Sequence, residues 1–311
     1  MGTGRNRISI GRRMILSIGE ILFDVFPEYK RLGGAPFNFA FHMKRLGFPV
    51  CFISRIGNDA AGETISQKLQ KYGFELDCLQ RDDDLETGKV IIRTDENGIP
   101  DFNILQNSAY DNLAFDDSIK TMLNHKVALI YFGSLVQRSS RGFTTLQHIF
   151  KQKRSDTKLL YDVNLRPECY SSKIIIESLK HTDILKLNDE ELHTIKEIFG
   201  FKKSDKAFIN FLFKEFEVEM IALTRGSWGS ELFTENQHAI HRSNGLKDIV
   251  DTVGAGDSFA AILAIGYLQK WHLDKILSIA TTFAEQICRI KGAVPRDKGF
   301  YYSFKRIIEQ R

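Results

Sequence analysis

The chain has 311 residues, 43% hydrophobic and 26% charged. That composition fits a globular protein with a sizeable core and excludes a disordered or fibrous chain. Its formal charge of +4 is local: removing Arg5, Arg7, Arg12 and Arg13 from the 43 Lys and Arg leaves 39 against 39 Asp and Glu, so neither nucleic acid nor an anionic membrane is an expected partner.

Residues 1–13 read as a basic extension outside a folded unit of residues 14–311, with Met14 an alternative start. They lack the apolar core and cleavage site of a secretory signal. Stretches such as residues 127–132 are too short to span a bilayer, and the cytoplasm is the expected location. Cys51, Cys78, Cys169 and Cys288 form no CxxC pair, which fits free thiols in a reducing compartment.

Along the chain, short apolar runs at 14–19, 50–53, 128–132, 158–163, 184–187 and 220–224 read as buried strands. Helical spacing covers 37–46, 60–71, 116–123, 142–151, 190–199 and 206–216 between them. Such alternation predicts a mostly parallel sheet with helices on both faces. Two stretches break it. Residues 20–34 and 87–106 carry strand character with turns, including the hairpin signal Glu96-Asn97-Gly98, and predict a small antiparallel sheet that covers a ligand. From Asp257 onward the pattern is mostly helical. His238 and His241 read as exposed loop residues rather than as a metal site.

The stretch with the clearest chemistry is Asp251-Thr252-Val253-Gly254-Ala255-Gly256-Asp257-Ser258, followed by an apolar helical run. Small residues at a helix start present free amides to an anion. A carboxylate there repels phosphate unless it serves as the base for a hydroxyl attacking phosphorus, so Asp257 makes the turn a phosphoryl-transfer centre. The alternative is an ordinary Gly-rich helix cap. No Lys-Ser/Thr pair follows, so this is not a P-loop. The segment from Gly57 to Thr64 has P-loop spacing, but Glu63 occupies the lysine position and excludes it. Ligands of open α/β sheets bind beyond the carboxyl ends of the strands. Asp24, the Gly33-Gly34-Ala35-Pro36-Phe37-Asn38 segment, Asp162-Val163-Asn164-Leu165-Arg166, Asn188 to Glu191 and Thr224 to Gly229 all fall there.

These residues resemble the ribokinase/PfkB family of carbohydrate kinases, from Met14 to Pro295. Two signatures carry the likeness: the Gly-Gly region running through Arg55-Ile56-Gly57-Asn58-Asp59-Ala60-Ala61-Gly62, and the stretch from Asp251 to Asp257. Gly19-Glu20, Gly33-Gly34-Ala35-Pro36 with Asn38, and Asp162-x-Asn164-x-Arg166 are most similar to the fructokinase branch. The resemblance implies a three-layer α/β sandwich with a mostly parallel central sheet and an antiparallel lid. It implies transfer of the γ-phosphoryl of ATP to a sugar hydroxyl, with Asp257 as base and Gly254, Ala255 and Gly256 as the anion hole. Asp24, Gly33, Gly34, Asn38, Phe102 and Arg166 would serve the sugar. Asn188, Thr224, Gly226, Gly229 and Gly292 would serve the nucleotide, and Glu191 would hold Mg²⁺ through water. A monovalent cation such as K⁺ and a homodimer formed through the lid are further expectations.

Fructose is the expected acceptor, with 2-keto-3-deoxygluconate, ribose, a nucleoside or a sugar phosphate as alternatives within the family. A non-catalytic sugar sensor is the alternative of another class. An acidic acceptor needs basic side chains, and Lys30, Arg31 and Arg166 are the ones available. Phe37 and Phe39 are bulky where relatives carry small residues, which either repacks the core or narrows the sugar pocket. Thr281 and Thr282 stand where relatives place an adenine-contacting Asn.

Overall fold

The computed structural model describes residues 13–94, 100–243, 248–295 and 297–310. The chain opens with β1 (Met14–Ile18), β2 (Leu22–Val25), β3 (Lys30–Gly33) and α1 (Ala35–Arg45). Then follow β4 (Val50–Gly57), α2 (Ala60–Lys71), β5 (Leu79–Asp82), β6 (Gly88–Thr94) and β7 (Pro100–Ile104). The middle alternates: α3 (Asp117–Asn124), β8 (Val127–Gly133), α4 (Ser140–Gln152), β9 (Lys158–Asp162), α5 (Ser172–Leu179), β10 (Ile184–Asn188), α6 (Asp189–Ile198) and α7 (Asp205–Phe216). The remainder is β11 (Met220–Thr224), β12 (Gly229–Phe233), β13 (His238–Arg242), α8 (Ala255–Leu268), α9 (Leu273–Cys288) and α10 (Tyr302–Glu309).

Nine strands form one sheet in the order β13-β12-β11-β10-β9-β8-β1-β4-β5. Its pairs are parallel except β11–β12 and β12–β13. Successive side chains of a strand point to opposite faces, so a strand buried on both sides feeds two cores. In β8, Leu129 and Tyr131 join the cluster under α1, α2, α8, α9 and α10, while Ile130 and Phe132 join the cluster under α3 to α7. That is the expected three-layer α/β arrangement. A second sheet, β3-β2-β6-β7, is antiparallel except for its β2–β6 pair. The Glu96-Asn97-Gly98 turn lies outside the described residues. Among the described residues no helix is long and apolar enough to cross a membrane.

The expected strands and helices are all present, and the differences have local causes. β4 runs on to Gly57 because β5 pairs with its last four residues. α5 escapes notice because Ile174-Ile175-Ile176 is β-branched, yet the Ser171 side chain caps it by accepting from the Ile174 amide. His238 and His241 are not loop residues. They lie in β13, where Ala239 alone is buried, and His238 stacks on Phe233 with Nε2 2.8 Å from Glu231 Oε2. Phe37 and Phe39 are fully buried, Phe39 stacked on Tyr131 at 4.0 Å, so both repack the core and neither lines the cleft.

A buried ion pair joins the second sheet to the body. Arg138 donates from Nε and Nη2 to Asp111, both at 2.7 Å, and from Nη2 to the Leu105 carbonyl that follows β7, also at 2.7 Å. The two side chains are 5% and 9% exposed. Removing one member of such a pair strands the other charge, so Arg138→Gln is expected to lower unfolding stability by about 3 kcal/mol in urea titration. A loss below about 1 kcal/mol would show that solvent reaches the pair.

Candidate active site

The carboxyl ends of β1, β9, β10 and β11 and the faces of the second sheet enclose a cleft of about 1390 Å³. Helices α1, α6 and α8 begin at its wall, so three helix N-termini face it and give it partial positive charge from the backbone alone.

The lid end is built by a tight turn. Gly34 has φ +110, and a Cβ there would lie 2.5 Å from the Glu20 carbonyl oxygen; a Cβ on Gly33 would lie 2.9 Å from Asp24 Oδ2. Glycine at both positions lets β3 pass close to Asp24 and turn into α1, which brings Asn38 to the cleft. Glu20, Asp24, Asn38, Phe102 and Arg166 line this end. Glu20 is a contact that the motif reading left unused. It is buried, its Oε2 has no partner among the described residues, and burial raises its pKa to about 7 against the opposing pull of Arg166. An acid directly after an apolar first strand was the available signal. Burial also raises the pKa of Asp24, opposed by Arg31 and Arg166.

At the other end, Gly254 caps α8 with φ +83, and Gly256 and Asp257 follow in its first turn. The first amides of a helix have no acceptor within it. The Ala255 amide turns to the Thr252 carbonyl at 3.3 Å, and Ala255 does not line the cleft, whereas Gly254, Gly256 and Asp257 do. Asp257 Oδ2 accepts from Asn38 Nδ2 at 2.7 Å. Burial, then the nearby Asp162 carboxylate, raise the Asp257 pKa to about 6, while Asn38, Lys186 and Arg166 oppose the rise.

Lys186 is the cleft residue that sequence reasoning missed. It is 6% exposed, donates from Nζ to Asp162 Oδ1 at 2.8 Å, and would meet a Cβ on Gly256 at 3.2 Å. Tyr131 OH holds the other oxygen of Asp162 at 2.9 Å. Burial disfavours the ammonium, but Asp162 and Glu191 more than compensate, so a full positive charge lies beside the Gly254–Gly256 turn. The sequence signal was a single lysine inside the apolar run Ile184-Leu185-Lys186-Leu187, since a buried charge there needs a partner and a purpose.

Asn188 and Glu191 form a capping box at the start of α6. Asn188 Oδ1 accepts from the Glu191 amide and Glu191 Oε2 from the Asn188 amide, both at 2.8 Å. Glu191 Oε1 accepts from the Leu165 amide at 3.0 Å. Thr224 and Gly226 line the same end; Gly229 and Gly292 do not. Gly229 sits where a Cβ would lie 2.0 Å from the His241 carbonyl oxygen, and the Gly292 amide donates to Asp251 Oδ2 at 3.0 Å. Both shape the wall from behind. Thr281 is buried against Ser230 at 2.9 Å, and Thr282 bonds back to the Ser278 carbonyl.

A Cβ on Gly254 would lie 2.3 Å from Ala293 Cβ, on a backbone that L residues avoid. Gly254→Ala is therefore expected to cost about 1–3 kcal/mol of stability and to weaken binding of a nucleoside diphosphate, read by thermal unfolding and calorimetry. Unchanged affinity would remove this turn from the anion site.

Comparison with known proteins agrees with this geometry. The model of the pfkB family carbohydrate kinases matches residues 20–297. An uncharacterized sugar kinase of Pyrococcus horikoshii is 28% identical over 300 residues, covering 90% of this chain and 91% of its own. Its crystal structure with ATP aligns with a TM-score of 0.81 at 26% identity, covering 94% of this chain and 99% of that one. Fructokinase-1 of Zea mays is 25% identical over 274 residues, covering 82% and 83% of the two chains. An ATP-dependent 6-phosphofructokinase of Thermoanaerobacterium thermosaccharolyticum is 26% identical over 298 residues, covering 90% and 89%. With a family model spanning most of its length, the chain belongs to the pfkB family of carbohydrate kinases.

Proposed function

We propose that the protein transfers the γ-phosphoryl group of ATP to a neutral sugar, with fructose the acceptor and fructose 6-phosphate and ADP the products. The observation that carries the choice of a neutral sugar is the charge around Arg166. Glu20, Asp24 and Asp257 face Arg166, which has no ion pair among the described residues, while Arg31 is paired with Asp251 at 2.6 Å. Lys30 lies over the Phe23 ring, 5.0 Å from its centroid. Three carboxyls around one free guanidinium suit hydroxyl groups and oppose a phosphate or carboxylate on the acceptor. The curated relatives do not choose between these, since one named for fructose and one named for fructose 6-phosphate are almost equally identical to this chain.

Asp257 accepts the proton of the acceptor hydroxyl as that oxygen attacks the γ-phosphorus. The bond from the γ-phosphorus to the oxygen bridging it to the β-phosphorus breaks, and ADP leaves with the electron pair. Asn38 holds the carboxylate in place. The Gly254 and Gly256 amides and the Lys186 ammonium offset charge on the transferred group. Mg²⁺, when bound with ATP, would neutralise phosphate charge. Both oxygens of Glu191 already accept amide protons, so Asn188 and Glu191 would hold the ion through its water shell.

ADP release with Mg-ATP over fructose, ribose, glucose, 2-keto-3-deoxygluconate, fructose 6-phosphate, inosine and adenosine tests the reading. Fructose is expected to give the highest kcat/KM, and Asp257→Ala to lower it by about a thousandfold or more. Preference for fructose 6-phosphate or 2-keto-3-deoxygluconate would overturn the neutral acceptor. Sugar binding without turnover would favour the sensor.

The pH profile follows from the same carboxylate. Asp257 must be ionised to act, so kcat is expected to fall about tenfold per unit below pH 6. Lys186→Met removes a cation that holds this pKa down and should move the midpoint upward. A midpoint that stays or moves down would separate Lys186 from the base.

A further inference from the structure

Arg31 lies on the lid strand β3, and its Nη1 reaches Asp251 Oδ2 at 2.6 Å across 220 residues of sequence. Neither side chain is more than 19% exposed, so this pair is poorly screened by solvent. Asp251 is itself a hub. Its Oδ1 accepts from the Val253 amide at 3.0 Å and its Oδ2 from the Gly292 amide at 3.0 Å. These two amides sit on the two segments that form the anion-binding turn: Val253 immediately precedes Gly254, and Gly292 precedes Ala293, the residue that packs against Gly254. One further contact, through a stack within the hairpin, brings the same lid hairpin onto the 291–293 segment. Phe26 and Tyr29 stack with centroids 4.4 Å apart; Arg31 lies over Phe26 at 4.8 Å and Lys291 over Tyr29 at 4.4 Å.

The hairpin also carries the acceptor end of the cleft. Asp24 on β2 is the cross-strand partner of Arg31, and β3 runs directly into Gly33 and Gly34. A ligand held by Asp24 therefore fixes the strand that places Arg31.

We propose that Arg31 is a positioning residue that couples the lid to the phosphoryl-binding turn: with the lid down, its guanidinium holds the Asp251 carboxylate in the orientation that sets the Val253 and Gly292 amides and so shapes the turn at Gly254. It touches no reacting atom. Its effect is on when the turn is formed, so each time the lid lifts and the link breaks the phosphoryl site loosens, and transfer of the γ-phosphoryl to water, which would give ADP and phosphate, slows. This rests on the kinase reading of the cleft but not on the identity of the acceptor.

Arg31→Gln, Arg31→Lys, Asp251→Asn and the Arg31→Gln/Asp251→Asn double variant, in the full chain, test the coupling. Amide hydrogen exchange, read first without ligand, should rise in Arg31→Gln by about fivefold or more at residues 251–254 and 290–293 as well as in β2 and β3, a size expected for coupling between two sites. Arg31→Lys should restore part of the protection, because it keeps the charge and loses the fork. The double variant should be no worse than Asp251→Asn, because each substitution breaks the same link. With an acceptor that turns over, Arg31→Gln should lower kcat about tenfold more than it raises the acceptor KM, and without acceptor it should lower the rate at which ATP is lost to water. Increased exchange confined to β2 and β3, additive single effects, or a change in KM alone would overturn the proposal. Should Arg31→Gln not fold, the exchange pattern of Arg31→Lys decides by the same criterion. If no sugar in the panel is phosphorylated, the acceptor reading fails while the exchange result still decides the coupling.

Discussion

In the proposed reaction Asp257 must remain a usable base beside a site that holds anions, and the arrangement around it meets that conflict. Burial and the Asp162 carboxylate push its pKa up to about 6, which gives it a real affinity for a hydroxyl proton near neutral pH. Unopposed, the same forces would keep it protonated and useless. Asn38, Lys186 and Arg166 oppose them from three directions, and each comes from a different part of the chain: α1, β10 and the loop after β9. The Lys186–Asp162 pair is therefore more than a buried salt bridge. It gives the anion-binding turn a fixed cation while Asp162 raises the basicity of Asp257, and Tyr131 holds that carboxylate from below.

The sheet supplies the geometry that makes this balance possible. Parallel strands end together, so β1, β9, β10 and β11 deliver Glu20, Asp162, Asn188 and Thr224 to one edge without long loops. The helices that follow begin at that edge and add their dipoles. The capping box of α6 shows how local and functional demands coincide. Asn188 and Glu191 satisfy the helix start, and in doing so leave Glu191 with no oxygen free of amide donors, which suits a hydrated ion and not a bare one. The second sheet closes the cleft opposite, and Gly33 and Gly34 are there because any side chain would collide with Asp24 or Glu20.

Much of this was legible along the chain. The alternation of strands and helices, the separate lid sheet and the Gly254–Asp257 turn depend on periodicity and on local backbone demands, which neighbouring residues express. What was missed has a common character. α5 carries a β-branched run whose cap outweighs its propensity. β13 is an edge strand in which Ala239 alone is buried, so the alternation that marks a strand is faint there. His238 gained an acidic partner, Glu231, only because β12 lies beside β13.

The amino-acid sequence by itself determined the fold class and the place of the Gly254–Asp257 turn at a helix start, because each rests on residues within a few positions of one another. The tertiary structure alone decided the charge balance of the cleft. Whether Arg31 is a free cation for an acidic ligand or the partner of Asp251 depends on a contact 220 residues away in sequence. Whether Lys186 is a core anomaly or a paired cation in the wall of the cleft depends on the register of β10 against β9. Coulomb interactions act through space and fall off with distance, so they are set by the folded arrangement of the chain, and no local pattern of residues encodes them.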